Sequence, residues 1–171
     1  SDYKKWERIE KKVVLDADCI ITVVEEMKQR IIDLGAEPSK VHVYQNVLDL
    51  NSVPENFKLN NSPVDVFDLV YVGGITPARG LSTVIEAITY LSNNEKLRFK
   101  LTVFGTGSFE EDLQTLARKK EVFEFIDFRG WVKQSDVFNF ISKGSATIIP
   151  HYRSVQNDCS SPNKLYQYMF V

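Results

Sequence analysis

Two short apolar runs of the 171-residue chain each lead into a glycine turn, and such turns can bind anions. The first has the sequence Tyr-Val-Gly-Gly at residues 71–74, and the second has Phe-Gly-Thr-Gly at residues 104–107. Backbone N–H groups where a strand gives way to a helix point above the strand, and the helix dipole favours negative charge there. Arg79 follows the first turn with a guanidinium fork that suits phosphate oxygens. Each turn alone is equally consistent with a plain tight turn, because neither is a Gly-x-Gly-x-x-Gly or P-loop motif.

The most informative pattern is Ser-Pro-Asn-Lys-Leu-Tyr-Gln-Tyr-Met at residues 161–169. Ser161 can cap a helix, and Pro162 suits its first position. Lys164 opposes the dipole of that helix unless an anion lies nearby, so the pattern favours a phosphate site over a plain cap. Gln167, roughly on the same face, is either a surface glutamine or a hydrogen-bonding partner for a sugar hydroxyl.

Histidine, tryptophan and cysteine offer fewer candidates. His151 follows a predicted strand in a polar loop, whereas His42 lies in an apolar strand pattern and is predicted to be a core residue. Trp131 follows another predicted strand and could border the same crevice, but such a Trp is more often a core side chain. Cys19 and Cys159 lie far apart without metal-ligand spacing, so we predict no metal site.

Short apolar runs alternate with helical patterns along the chain, which predicts an α/β fold with a parallel sheet flanked by helices. Several runs are continuously apolar, as strands covered on both faces should be. The predicted strands are Cys19–Val24, Val41–Gln45, Phe67–Gly73, Arg98–Gly105, Phe125–Gly130 and Ala146–Pro150.

Apolar residues at helical spacing predict the intervening helices. One apolar face runs from Leu81 to Leu91, and the next runs from Phe109 to Ala117. A weaker helical pattern covers about Gln134 to Ser142, and a helix over Glu25–Leu34 is predicted to end at Gly35. These helices are expected to cover the sheet.

Composition narrows the class of protein. With 21 Lys and Arg against 23 Asp and Glu, the net charge is −2, and 43% of residues are hydrophobic. These values exclude disordered, collagen-like and fibrous chains, and they argue against nucleic acid as the main partner. The sequence has no apolar run long enough to span a bilayer and no signal peptide at its start. The low cysteine count favours a reducing compartment.

Asn, Ser and Pro replace periodic apolar residues between Asn51 and Pro63, which indicates a linker. We therefore predict a first part at residues 1–46, a linker at 47–63 and a second part at 64–171. Two strands cannot form an independent doubly wound domain, so the first part is expected to pack on the second part, on another copy or on protein outside this chain. Without that support it is expected to expose apolar surface and to favour self-association or local disorder. The chain lacks an initial Met and ends inside a helical pattern, so we expect a piece of a longer protein.

Together these motifs resemble the family 4 glycosyltransferases of the GT-B fold, over nearly the whole chain. Similarity to the closing segment of that family's acceptor domain lies in residues 18–24 and 31–46. Successive motifs of its donor domain are similar to residues 71–81, 104–107, 128–132 and 161–169, of which the last is the most specific. The resemblance implies one half of a GT-B enzyme, a Rossmann-like parallel sheet flanked by helices and truncated at its C-terminus.

The resemblance also implies a function. The donor would be a nucleotide-sugar, either a UDP-sugar or a GDP-sugar, and transfer would retain the anomeric configuration without a metal or cofactor. The acceptor would be a glycan or a lipid-linked sugar in cell-surface polysaccharide synthesis. The full-length enzyme would be cytoplasmic, with peripheral association at the inner face of the membrane. This chain alone would bind the donor with little or no turnover.

Carried over by motif, the resemblance gives the site residues. Gly73 and Gly74 would lie under the diphosphate, and Arg79 and Lys164 would be its basic contacts. Gly107 would leave room for the nucleotide, and Val132 would contact the base through its main chain. The amides near Asn163 and Leu165 would hold phosphate. The predicted donor-site residues are Gly73, Gly74, Arg79, Gly105, Gly107, Val132, Ser161, Asn163, Lys164, Leu165 and Gln167. The resemblance assigns no catalytic residue.

Three positions depart from the family pattern. Gly74 stands where many members have a second phosphate-binding Arg, and Gln167 stands where a ribose-binding Glu is usual. Cys159 replaces the first Glu of a two-glutamate motif, a place that Asp158 could take. These departures leave two alternatives open, a non-catalytic nucleotide-binding module and a GT-B sugar epimerase. A dinucleotide oxidoreductase is disfavoured, because its glycine motif and acidic ribose ligand are missing.

Overall fold

The computed structural model describes residues 2–55, 57, 66–92 and 98–171. They form two compact units, the smaller made of residues up to Val47 with Arg153–Asn163 and the larger of Leu48–Tyr152 with Lys164–Val171. The predicted α/β class is confirmed, since each unit contains a parallel sheet with helices. Residues 153–163, which the sequence placed in the second part, group with the first.

Seven α-helices and six strands lie within the described residues. The helices are α1 (Asp2–Asp16), α2 (Glu25–Asp33), α3 (Leu81–Ser92), α4 (Glu110–Lys119), α5 (Val137–Ile141), α6 (Val155–Asp158) and α7 (Asn163–Phe170). The strands are β1 (Ile20–Thr22), β2 (Val41–Val43), β3 (Phe67–Val72), β4 (Phe99–Phe104), β5 (Ile126–Gly130) and β6 (Ala146–Thr147). All six predicted strands are present, and each is shorter than predicted. The weak helix predicted over 134–142 opens as a 3-10 turn before α5.

The smaller unit is a helix-covered pair of strands. β1 and β2 run parallel, with Ile20 opposite Val41. α2 begins at Glu25, where carboxylates suit the helix dipole, and it ends just before Gly35, whose φ of 110° favours glycine. The small core of this unit is formed by buried apolar residues of α1, α2, β2 and the segment after α2: Val14, Ile31, Ala36 and Val41.

The larger unit is built on a four-stranded parallel sheet in the order β5-β4-β3-β6. The chain moves outward from β3 to β4 and β5, then returns to add β6 on the other side of β3. The strand order therefore reverses between β3 and β6. In open α/β sheets, ligands bind outside the carboxyl ends of the strands at such a reversal.

Both faces of this sheet are covered, which explains the continuously apolar strands. On one face α3 and α4 contribute the apolar residues predicted for them, such as Ile85 and Leu113, each at most 1% exposed. This first core cluster also contains Tyr71 of β3. A second core cluster joins β3 and β4 to α5, with Phe138 fully buried at its centre.

The predicted linker, residues 47–63, lies partly outside the described residues. Its described residues form a 3-10 turn at Leu50–Ser52. Leu48, Val53 and Phe57 pack against the second core cluster, so apolar side chains anchor this segment to the larger unit.

Two predictions about buried side chains are wrong. His42 is exposed, because it alternates along β2 with Val41, which takes the buried side. Trp131 is 71% exposed, because it follows the end of β5, an outer strand of the sheet. The expectation of exposed apolar surface in the first part is confirmed on α1, where Trp6 is 65% and Val13 is 61% exposed. No helix of the described residues is long and apolar enough to cross a membrane.

Candidate functional site

The turns after β3 and β4 hydrogen-bond to each other and to the last residues of β4 and β5. The Gly73 amide donates to the Phe104 carbonyl at 2.9 Å, and the Gly105 amide donates to the Gly130 carbonyl at 2.6 Å. The Ile75 amide extends the contact by donating to the Thr106 carbonyl at 3.0 Å. The two glycine turns predicted to border one crevice are therefore joined by their backbones.

Close packing between these turns explains two of their glycines. Gly105 has a φ of 134°, and a Cβ there would lie 2.0 Å from the Gly73 carbonyl oxygen. A Cβ at Gly107 would lie 2.1 Å from the Ile75 carbonyl oxygen. Close backbone packing alone therefore explains why glycine stands at both positions. The contact of these glycines with a nucleotide remains a prediction. Gly74 differs, because a Cβ there meets open space.

Lys164 lies in the first turn of α7, and its amine reaches the turn after β3. The Nζ atom is buried and has no hydrogen-bond partner among the residues that the structure describes. It lies 3.9 Å from the centroid of the Tyr71 ring, and a Cβ on Gly73 would lie 2.6 Å from it. Burial, together with the positive charge of Arg79, lowers the pKa of Lys164 to about 8.

Arg79 ends a 3-10 turn, Pro77–Arg79, that precedes α3. Its Nη1 lies 3.2 Å from Nε2 of His151, which follows β6. A guanidinium only donates, so Nε2 accepts this hydrogen bond and the imidazole is neutral. Burial and the charges of Lys164 and Arg79 lower the pKa of His151 from its ordinary value. Lys164 and Arg79, called here the cationic cluster, therefore lie at the strand reversal, with the neutral imidazole of His151 beside them.

Two tyrosines that the sequence analysis missed support this cluster. The Tyr71 hydroxyl donates to the Gly74 carbonyl at 2.8 Å, and burial raises the pKa of Tyr71 to about 12. The Tyr168 hydroxyl accepts a 2.8 Å hydrogen bond from the Val72 amide, which ties α7 to the end of β3. Their positions were a usable signal, because Tyr71 closely precedes the glycine turn and Tyr168 lies one helical turn after Lys164.

Three other predicted residues lie in the larger unit. Val132 packs its side chain against the second core cluster. On α7, Leu165 is 38% exposed and Gln167 is half-buried, roughly on the same helix face as Lys164. Their contacts with a nucleotide-sugar remain predictions.

Ser161 and Asn163 belong to the smaller unit. The Ser161 carbonyl accepts a hydrogen bond from the Asn46 side chain at 2.6 Å. α7 begins at Asn163 rather than at Pro162, one residue later than predicted. Asp158, the candidate replacement for a carboxylate at Cys159, accepts a hydrogen bond from Arg153 at 3.2 Å. The phosphate-binding role of the amide near Asn163 and the place of Ser161 in the donor site remain predictions.

The charge of the cationic cluster is not neutralised by the ion pairs found among the described residues. These pairs join Arg30 to Glu10, Lys100 to Asp68, Lys120 to Glu86, Arg129 to Asp127 and Arg153 to Asp158. Across residues 2–55, 57, 66–92 and 98–171, no three His, Cys, Asp or Glu side chains come together to hold a metal ion. A cluster that offers N–H donors and positive charge is suited to an anion with several oxygens.

The fold and the cluster together define a Rossmann-like α/β domain with a cationic site at its strand reversal. Residues 52–155, more than half of the chain, match the family described as glycosyl transferases group 1. The chain belongs to this family. It is also 25% identical, over 146 residues, to glycogen synthase from two Mycobacterium tuberculosis strains. That match covers 84% of this chain and 34% of each glycogen synthase, so the chain spans about a third of these relatives.

Solved structures share the fold at low sequence identity. Sucrose-phosphate synthase from Thermosynechococcus elongatus has a TM-score of 0.73 at 16% identity, covering 88% of this chain and 39% of that protein. HepE from Anabaena, in complex with UDP-glucose, has a TM-score of 0.64 at 13% identity, covering 82% and 40%. TarM from S. aureus, in complex with fondaparinux, alpha-GlcNAc-glycerol and UDP, has a TM-score of 0.62 at 14% identity, covering 81% and 27%. The predicted GT-B architecture is therefore confirmed for about a third of such a chain.

Proposed function

We propose that the larger unit binds the diphosphate of a nucleotide-sugar, as the donor-binding part of a retaining glycosyltransferase. The observation that carries this proposal is the buried amine of Lys164, which lies without a hydrogen-bond acceptor among the described residues and close enough to Arg79 for their charges to interact. Burying an unpaired cation is unfavourable, and an anion bound at the cluster would relieve that cost. Family membership supports the same ligand class.

In such a transfer, negative charge grows on the departing diphosphate as the bond to the sugar breaks. Fixed cations that meet this charge stabilise the transition state more than the ground state. Arg79 and Lys164 fit this role, because the two charges already lie where the sheet reverses. His151 holds the Arg79 guanidinium by accepting its hydrogen bond. No step of this scheme requires a metal ion or a cofactor.

The acceptor and the pathway form the broader part of the proposal. We infer that the complete protein transfers the sugar to a glycan or lipid-linked acceptor in cell-surface polysaccharide synthesis, at the cytoplasmic face of the membrane. Two structural relatives support this inference by their descriptions: WaaG is a glycosyltransferase involved in lipopolysaccharide biosynthesis, and WaaB is a lipopolysaccharide outer core galactosyltransferase. HepE binds UDP and UDP-glucose, which supports a UDP-sugar as the first donor to test.

Calorimetric titration of the chain with UDP, GDP and their sugar conjugates tests the donor site. We expect one base family to bind, and we expect Arg79→Ala and Lys164→Ala each to weaken that binding about tenfold or more, since each removes a charge-assisted hydrogen bond. Lys119→Ala is the matched control, because it removes one exposed positive charge from the last turn of α4. The control should bind as tightly as the unchanged chain.

The outcomes separate the alternatives. Binding that both cluster variants leave unchanged would contradict the proposed site. Donor binding without sugar transfer by the complete protein would favour the non-catalytic nucleotide-binding module. Consumption of a nucleotide-sugar without any acceptor would favour a sugar epimerase.

A further inference from the structure

The amine of Lys164 is held at a defined place even though no described hydrogen-bond acceptor holds it. Nζ lies over the face of the Tyr71 ring at 3.9 Å from its centroid, in the space that a Cβ on Gly73 would need. A flexible lysine normally keeps its amine in water, because desolvation disfavours the charged form. Something in the site must therefore compensate for the burial of this amine.

The groups around Lys164 show which contact can offset the burial of its amine. Burial and the positive charge of Arg79 both act against the ammonium form, and both lower the pKa of Lys164. The π-face of an aromatic ring attracts a cation, and this attraction strengthens when water is excluded. Among the described residues, the Tyr71 ring is the contact of Nζ that favours its charged form.

The same tyrosine also contacts the turn. Its hydroxyl donates to the Gly74 carbonyl at 2.8 Å, which braces the two-glycine turn after β3. The side chain is fully buried in the first core cluster, so its ring is fixed by packing against α3 and α4. One rigid side chain thus touches both the cation and the backbone of the candidate site.

We propose that Tyr71 is a positioning residue of the donor site: its ring holds the Lys164 ammonium, and its hydroxyl holds the Gly73-Gly74 turn. This inference rests on the proposed function, because the geometry that Tyr71 maintains matters only if an anion binds there. Tyr71 acts through Lys164 and the turn. Its ring and its hydroxyl therefore have separate roles, which separate substitutions can distinguish.

The experiment alters the ring without opening a cavity. Tyr71→Phe removes the hydroxyl and keeps the π-face, and a ring-fluorinated phenylalanine at position 71 keeps the size while weakening the π-face. The pKa of Lys164 is then followed by NMR with isotope-labelled lysine, and its signal is assigned with Lys164→Gln. We expect Tyr71→Phe to leave this pKa nearly unchanged, and fluorination to lower it by about one unit.

Nucleotide binding gives the second readout. Fluorination should weaken binding of UDP or GDP several-fold more at about pH 8.5 than at about pH 6, because at the lower pH the lysine stays charged in every variant. Tyr71→Phe should weaken binding by a similar factor at both pH values, since it removes only the hydrogen bond to the turn. A general loss of structure would not produce this pH-dependent difference, and thermal unfolding of each variant checks for such a loss.

A Lys164 pKa that does not respond to fluorination would overturn the inference, whatever the nucleotide does. If Lys164→Ala abolishes binding but fluorination changes neither the pKa nor the affinity, the donor site stands and the role of Tyr71 is wrong. If the unchanged chain binds neither UDP nor GDP, the proposed function fails, and the NMR titration still tests whether the ring holds the amine.

Discussion

Two basic residues, one in each unit, meet opposite surroundings. In the smaller unit Arg30 of α2 donates to both carboxylate oxygens of Glu10 on α1, at 2.6 and 2.7 Å. That hydrogen-bonded pair raises the pKa of Arg30 and lowers the pKa of Glu10. In the larger unit Lys164 has no described acceptor, and burial lowers its pKa to about 8.

The contrast separates a cation that supports the fold from one that, in the proposed function, binds an anion. A paired guanidinium links two helices and is neutralised within the chain. Among the described residues, the buried Lys164 ammonium faces the Tyr71 ring and the charge of Arg79 and has no hydrogen-bond acceptor, which lowers the stability of its unit. In the proposed function, a bound anion supplies the missing acceptor. Residues that bind ligands often reduce stability in this way, because their charges are arranged for the complex.

A substitution at Gly105, whose backbone packs against Gly73, should have the largest effect on stability. Gly105→Ala places a Cβ 2.0 Å from the Gly73 carbonyl oxygen at a φ of 134°. We expect it to destabilise the larger unit by about 3 kcal/mol or more, because backbone must move on both turns. Urea unfolding measures the change. Gly74→Ala is the matched control, since its Cβ meets open space, and a loss as large in the control would contradict this account.

Replacing the buried amine of Lys164 tests the comparison with Arg30 directly. Lys164 has a folded pKa of about 8, below its ordinary value of 10.5, so the unfolded chain binds the extra proton between these values. The free energy of unfolding should therefore rise with pH across this window, by on the order of 2 kcal/mol from this group. Lys164→Met should remove that rise and be more stable at neutral pH.

Urea unfolding of both chains between about pH 7 and pH 10 measures the difference, which cancels the titration of other groups. Lys119→Met is the control, because it removes an exposed lysine from α4. If the free energies of unfolding of the unchanged chain and of Lys164→Met change with pH in parallel, the buried amine does not destabilise the fold. The contrast with Arg30 is then wrong.

An added cation beside Lys164 and Arg79 should strengthen nucleotide binding. Gly74→Arg fits the open space at this position and places a guanidinium beside the cationic cluster. We expect it to strengthen UDP or GDP binding by about three- to tenfold, the range of an added, partly exposed charge contact. Calorimetry checks this, with Gly74→Gln as the uncharged control. Equal affinity of the two variants would show that position 74 does not face the anion.

Removing the partner of Arg30 should have the smallest effect. Glu10→Gln keeps the shape of the side chain and removes its charge, at a pair in which both side chains are partly exposed. We expect a loss of about 0.5–1 kcal/mol, because solvent screens such a pair. The pKa of Glu10 is lowered in the fold, so its contribution is lost as pH falls through that lowered value. Thermal unfolding should show the gap between the two chains closing in acid.

The sequence predicted a parallel sheet and the order of strands and helices along the chain, because apolar runs and helical spacing are local signals. It also named Arg79, Lys164 and the glycine turns, since residue type and spacing carry that information. It could not predict that the Lys164 amine lies over Tyr71, because β3 and α7 are distant in sequence and meet only in the fold. The exposure of Trp131 and His42 likewise depends on strand position and register, which periodicity leaves open.

The outer strands of the four-stranded sheet differ from its centre in a way that bears on aggregation. β6 has only two residues, and β5 carries an Arg129–Asp127 ion pair with N···O distances of 2.6 Å. Short and charged outer strands resist pairing with another chain, because they offer few unmatched backbone groups and bury charge on contact. Association of this chain with itself should therefore proceed through side-chain surfaces such as the exposed face of α1, and it should not extend the sheet into fibrils.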